Sequence, residues 1–317
     1  MTQKIAVLFP GQGSQYVGMG KSLSETAGYS LFAKADSVLG YPLWAMMSEG
    51  PDDQLKLTHN TQPAIVAHSL ALWMNLSELL KAKKKNVDYV LGHSVGEYAA
   101  LAAAGVFSYE AAIKLVHLRG KAMQEAVPAG LGKMFAVLKA PQEAVEEACA
   151  KSSDSEFQVV PANFNDPTQI VISGHSEACE KAINWLKENL ATPFRAIELN
   201  VSAPFHSPLM KPAAEVMKKE LAAVEMKNNQ IDYIANIDAT LYGAQTTPDK
   251  IRQNLVEQMA GSVRWTQSIA KLPAGTLCIE VGPGRVLQGL VKKIQPELTV
   301  ISLDKEGAFN ELEEALS

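Results

Sequence analysis

Val87-Asp88-Tyr89-Val90-Leu91-Gly92-His93-Ser94-Val95-Gly96-Glu97 is the stretch on which the fold turns. Val87 to Leu91 has the length and apolar character of a buried strand, and the small residues from Glu97 to Ala104 read as a helix. Gly92-His93-Ser94-Val95-Gly96 is therefore the turn between them. G-x-S-x-G in that position is an elbow: its glycines permit a tight, strained turn that lifts the serine off the sheet edge. The same five residues could instead be a glycine-rich turn with a capping serine.

Working outward, Lys4 to Phe9 is a continuous apolar run stopped by Pro10-Gly11, and Ala64 to Leu80 carries helical spacing. Strand, helix, strand, helix specifies an α/β fold with a mainly parallel sheet. From about Gly130 the rhythm changes. Lys133–Leu138, Phe157–Asn163, Gln169–Ser173 and Phe194–Leu199 read as strands, with helices over Pro141–Lys151 and Ser176–Lys187. That order, βαββαβ, is the ferredoxin-like pattern. Helices over Leu209–Ala223 and Pro248–Ala260 and a strand over Thr276–Val281, closed by Gly282-Pro283-Gly284, then resume the first unit. The expected division is a catalytic core from 1–128 and 200–317 with a small subdomain at 129–199.

With 317 residues the chain has room for about two units at about 150 residues each. A formal net charge of −5 lacks the basic footprint of a nucleic-acid binder, and Lys81, Lys83, Lys84 and Lys85 read as a solvated helix end. Cys149, Cys179 and Cys278 are odd in number and widely spaced, fitting neither a disulfide framework nor a closed zinc site and pointing to a reducing cytoplasm. Ile5–Phe9 is too short for a signal-peptide core, and no run approaches the roughly 18 apolar residues of a membrane span. A soluble, unprocessed protein is expected.

A serine hydroxyl is a poor nucleophile at neutral pH and needs a base close in space. Of six histidines, His206 stands out within Ser202-Ala203-Pro204-Phe205-His206-Ser207-Pro208, where two prolines restrict the backbone. It is either the base or a loop histidine without a role; His59, His68, His117 and His175 read as surface or core residues. Gly11-Gln12-Gly13 is not a dinucleotide fingerprint, because Tyr16 stands where the third glycine belongs. A glycine loop after the first strand can instead aim N–H groups at a developing oxyanion, or be only a turn. Arg119 sits on a predicted helix, Ser108–Val127, with Leu115, Val116, Ala122 and Met123 at three and four positions away. Burying that charge unpaired would be costly, so it should meet an anion, either a protein carboxylate or a substrate carboxylate.

Phe9-Pro10-Gly11-Gln12-Gly13-Ser14-Gln15, Gly92 to Tyr98, Arg119-Gly120, Ser202 to Ser207, Val263-Arg264-Trp265 and Glu280 to Gly284 together resemble, from end to end and in order, the malonyl-CoA:acyl-carrier-protein transacylases of bacterial fatty-acid synthesis. The resemblance implies an α/β-hydrolase-like core with a ferredoxin-like insertion. It makes Ser94 the nucleophile and His206 its base. It assigns the oxyanion hole to the N–H groups of Gln12 and Val95, the malonyl carboxylate to Arg119, and the orientation of the histidine to the backbone carbonyl of Gln258. Malonyl-CoA and acyl carrier protein are then the partners, with no metal or bound cofactor, no membrane, and a monomeric enzyme. Two residues depart from the commonest wording: Val95 for leucine, and Ser262 for a proline that often stiffens the loop before Val263. A trans-acting polyketide acyltransferase would share the chemistry. A serine esterase or thioesterase would use the same elbow with an added Asp or Glu, for which Asp154 and Asp166 are the intervening candidates.

Overall fold

The computed structural model describes residues 3–316. Among the described residues, ten strands form two sheets: β1 (Ile5–Phe9), β2 (Tyr89–Gly92), β3 (Gly132–Leu138), β4 (Val159–Asp166), β5 (Gln169–His175), β6 (Arg195–Glu198), β7 (Asp232–Ile234), β8 (Leu241–Tyr242), β9 (Leu277–Glu280) and β10 (Thr299–Ser302). The larger sheet has the order β10-β9-β1-β2-β7-β8 and is parallel except for the β7–β8 pair. The smaller is antiparallel, with the order β4-β5-β3-β6.

Every residue of β1 is buried because the strand has core on both faces. Ile5, Val7 and Phe9 enter the main cluster, while Ala6 and Leu8 enter a second one with Trp265 and Leu287. This period of two on a doubly covered strand is why the sequence reads as an unbroken apolar run. Register then decides the location of the site. Phe9 lies opposite Gly92, and Leu8 opposite Glu280, so the chain leaves β1, β2 and β9 at one level. The Gln12 loop and the Ser94 elbow thus meet at the carboxyl edge, the usual ligand side of an open parallel sheet.

The smaller sheet follows the βαββαβ order and packs one face on the helices Gln142–Ser152 and Ser176–Asn189. It is stitched to the larger unit through residues 262–266. Phe164 N–H donates to Val263 O at 2.9 Å, and Val263 N–H donates to Ala162 O at 2.8 Å. Ser262 Oγ donates to Pro161 O at 2.6 Å, so the residue standing in for proline anchors this loop by a hydrogen bond. Lys293 adds an ion pair to the buried Asp166 at 3.0 Å.

Several sequence expectations shift. The strand placed at Phe157–Asn163 runs from Val159 to Asp166, with irregular register around Pro161 and Phe164. The helix placed from Leu209 begins at Lys211, after a single 3-10 turn over Pro208–Met210. Strands β7 and β8 carry only three and two residues, too few to register as periodic segments, and β10 lies outside the strands expected from the sequence.

Helices Thr58–Ala82 and Tyr109–Glu125 approach closely at Gly120. A Cβ there would stand 2.7 Å from both His59 Cα and Thr58 O, which are backbone atoms that cannot rotate away. Gly120→Ala should therefore push the Arg119 helix outward and destabilise the protein by about 1–3 kcal/mol. Urea unfolding of the two proteins measures this, and equal midpoints would show that the contact is slack.

Candidate active site

Glycine is required at both ends of the elbow. A Cβ on Gly92 would lie 2.0 Å from Gly96 C, and one on Gly96 would lie 2.2 Å from Phe9 O. Between them Ser94 has φ +52°, a left-handed conformation costing a non-glycine residue about 1 kcal/mol or more. Asn236, just beyond β7, holds this strain in place. Its Oδ1 accepts Ser94 N–H at 2.7 Å, and its Nδ2 donates to Gly92 O at 2.6 Å.

Ser94 Oγ lies 2.7 Å from His206 Nε2. The other ring nitrogen, Nδ1, is 2.9 Å from the carbonyl oxygen of Gln258. A carbonyl can only accept, so Nδ1 carries the proton and Nε2 is left with its lone pair toward the serine. His206 is buried with φ +57°, a second left-handed position. Burial first, then the nearby Arg119 charge, push its pKa down to about 3, so the imidazole is neutral at neutral pH.

Arg119 is 1% exposed. Its Nη1 donates to Gln62 Oε1 at 2.9 Å, while Nη2 donates to Gln258 Oε1 at 2.9 Å and to Ser94 Oγ at 3.1 Å. All three acceptors are neutral, and among the described residues no carboxylate forms an ion pair with this guanidinium. Gln258 completes the network. Its Nε2 donates to Glu97 Oε2 at 2.7 Å and to Ser94 O at 3.1 Å. With acceptors on one side and a guanidinium on the other, its amide has one consistent orientation. A single residue thus holds the histidine by its backbone, the arginine by its side-chain oxygen and the elbow by its side-chain nitrogen.

These groups open onto a cavity of about 160 Å³ between the two sheets. Its apolar walls include Met123 from the larger unit and Met134, Val171 and Leu199 from the smaller one. Gln12 and Val95 also line it, and among the described residues neither backbone N–H is taken by a protein acceptor. His93 borders the cavity with its Nε2 2.8 Å from Asn165 Oδ1, and burial pushes its pKa down.

Ser94, His206, Arg119, Gln12 and Val95 therefore line one space, with Gln258 bonded to the first three, although the six residues come from five separate parts of the chain. Asp154 and Asp166 do not. Asp154 accepts from the N–H groups of Glu156 and Phe157, and Asp166 binds Thr168 and Lys293. Four residues of the network were not singled out by sequence: Asn236, Gln62, Asn165 and Glu97. Gln62 had a signal, being a polar residue inside the buried face of a helix, whereas Asn236 follows a strand of only three residues.

An acyl transferase domain model matches residues 7–301. The chain is 42% identical over 318 residues to the malonyl CoA-acyl carrier protein transacylase of Haemophilus influenzae, covering 99% of each. It is 45% identical over 306 residues to the enzyme of that name from Bacillus subtilis, covering 95% of this chain and 93% of that one. Among solved structures, a malonyl-transacylase in complex with its type II PKS acyl-carrier protein superposes with a TM-score of 0.89 at 38% identity, over 98% of this chain and 99% of that one. The chain belongs to the malonyl CoA-acyl carrier protein transacylase family of acyl transferases.

Proposed function

We propose that this acyltransferase moves the malonyl group of malonyl-CoA to the phosphopantetheine thiol of acyl carrier protein through an ester on Ser94, supplying fatty-acid synthesis. The observation that carries the reading is the Ser94–His206 contact at 2.7 Å with a buried, carboxylate-free Arg119 donating to the same oxygen at 3.1 Å. In acylation, His206 Nε2 takes the hydroxyl proton as Ser94 Oγ attacks the thioester carbonyl. The oxyanion accepts hydrogen bonds from the N–H groups of Gln12 and Val95. Coenzyme A then leaves as a thiol, reprotonated by His206. In transfer, His206 accepts the proton of the carrier thiol as its sulfur attacks the ester, and returns it to Ser94. Both half-reactions balance without redox chemistry, so the reading calls for no metal or bound cofactor.

Arg119 receives the malonyl carboxylate in this scheme, as a guanidinium fork suits a carboxylate by two hydrogen bonds. The small cavity favours a short acyl group. The Gln258 carbonyl on Nδ1 argues against a hydrolase triad, which would place Asp or Glu there. Acyl carrier protein is the acceptor named for the relatives above, and a type II PKS carrier in the neighbouring complex keeps a polyketide pathway as the second reading. The scheme calls on no residue of a second copy, and a monomeric enzyme is the reading proposed. Free thiols at Cys149, Cys179 and Cys278 suit the cytoplasm, and no helix among the described residues is long and apolar enough to cross a membrane.

Malonyl-CoA added to the wild-type protein should give one malonyl adduct by intact mass, and Ser94→Ala none, with turnover falling by up to about a million-fold. A variant that still carried the adduct would remove Ser94 from the mechanism. A second test uses pH. Because the His206 pKa lies at about 3, the base stays unprotonated on moving from neutrality to mild acid. On going from neutrality toward acid, the kcat/KM for acylation should not fall in the range around pH 6.5, where an ordinary histidine would protonate. An acid limb near 6.5 would show that His206 is not held neutral, while His206→Ala should slow both half-reactions by about 10²–10⁴-fold.

A further inference from the structure

Glu97 opens the helix Gly96–Ala103 directly behind the elbow and is 1% exposed. Its Oε2 accepts from Gln258 Nε2 at 2.7 Å and from Asn236 N–H at 3.2 Å. Its Oε1 is buried without a hydrogen-bond partner among the described residues. An ionised carboxylate needs donors on both oxygens in a dry interior, whereas a protonated one could carry its proton on Oε1 and still accept at Oε2. One Gln258 side chain separates this carboxyl from Arg119, since Gln258 bonds both. The charged and titratable groups around Glu97 are Arg119 from the Tyr109–Glu125 helix, Tyr98 on its own helix, Tyr233 on β7, and Asp238 from the turn after β7. Arg119 is the one cation among them.

We infer that Glu97 and the acyl carboxylate compete for the charge of Arg119, so that the site accepts a carboxylated acyl group together with a proton on Glu97. This rests on the assignment of Arg119 as the receptor of that carboxylate. In the resting enzyme an ionised Glu97 acts on Arg119 through the Gln258 amide that bonds both. A second anion on the same cation raises the cost of keeping Glu97 ionised. The proton is taken from solvent and resides on Oε1; its uptake makes or breaks no bond of the acyl group. Burial already pushes the Glu97 pKa up to about 7, with Gln258, the Asn236 N–H and Arg119 pulling it down and Asp238 pushing it up. Uptake therefore falls in the neutral range. By linkage, the proton that the acyl carboxylate favours must in turn favour that carboxylate.

The test is the ratio of kcat/KM for acylation by malonyl-CoA to that by acetyl-CoA as a function of pH. Titration of the coenzyme A phosphates, of the thiol and of His206 is common to both substrates and cancels. If the second carboxylate raises the Glu97 pKa by about one unit, the ratio should fall about ten-fold between about pH 6 and about pH 9. Glu97→Gln keeps an oxygen toward Gln258 and cannot ionise, so its ratio should be flat. A flat wild-type ratio, or a fall in Glu97→Gln equal to that of the wild type, would overturn the inference. A variant-free reading backs this up: in weakly buffered indicator solution near neutral pH, malonylation of the wild type should take up protons and acetylation none, and equal proton counts would overturn it. Arg119→Ala separates this inference from the reading beneath it. If that variant leaves the ratio unchanged, the assignment of Arg119 fails; if it lowers the ratio while the wild-type profile is flat, only the role of Glu97 fails.

Discussion

A guanidinium sealed inside a protein demands an anion, and Arg119 is sealed in with acceptors that are all neutral. Hydrogen bonds occupy its two Nη groups, while Nε is buried without a partner among the described residues, and neither offsets the cost of taking the charge out of water. Much of the architecture around the elbow can be traced to this constraint. Gln62 and Gln258 hold the fork in place, the Tyr98 ring lies 5.7 Å from its central carbon, and Glu97 is relayed to it through an amide. A carboxylate that enters the cavity would complete the pair. Selection and fold stability are thus linked in the proposed mechanism, because the residue that chooses the acyl group is also one of the largest fully buried side chains.

The same charge conditions His206. A protonated histidine beside a fixed cation in a dry cavity is unfavourable, which helps keep His206 neutral and able to accept a proton. A carbonyl rather than a carboxylate on Nδ1 suits that arrangement, since it fixes the tautomer without inviting the ring to become charged. Two left-handed residues, Ser94 and His206, meet through the Ser94 Oγ–His206 Nε2 contact. Both are held by hydrogen bonds to parts of the chain far away in sequence.

Legibility in the sequence followed signal length. The elbow was readable because a five-residue pattern sat between a strand and a helix, and the steric clashes at Gly92 and Gly96 explain why those two positions are glycine. The βαββαβ order was readable because its helices and most of its strands are long enough to carry a period. For His206 the residues themselves left two readings open, a base or a loop histidine without a role, and the fold places it at hydrogen-bond distance from Ser94. Gln258 came only from the family resemblance, because a backbone carbonyl leaves no trace in a side-chain pattern. Asn236 escaped altogether: β7 has three residues, and nothing local marks the asparagine after it as the clamp on a turn 142 positions earlier.

The most direct test of the account is a crystal structure of the malonyl-Ser94 ester. The account predicts the acyl carboxylate on Arg119 by two hydrogen bonds of about 2.7–2.9 Å, with the ester carbonyl oxygen on the Gln12 and Val95 N–H groups. A malonyl ester whose carboxylate points into solvent, with Arg119 still bound only to Gln62 and Gln258, would contradict it.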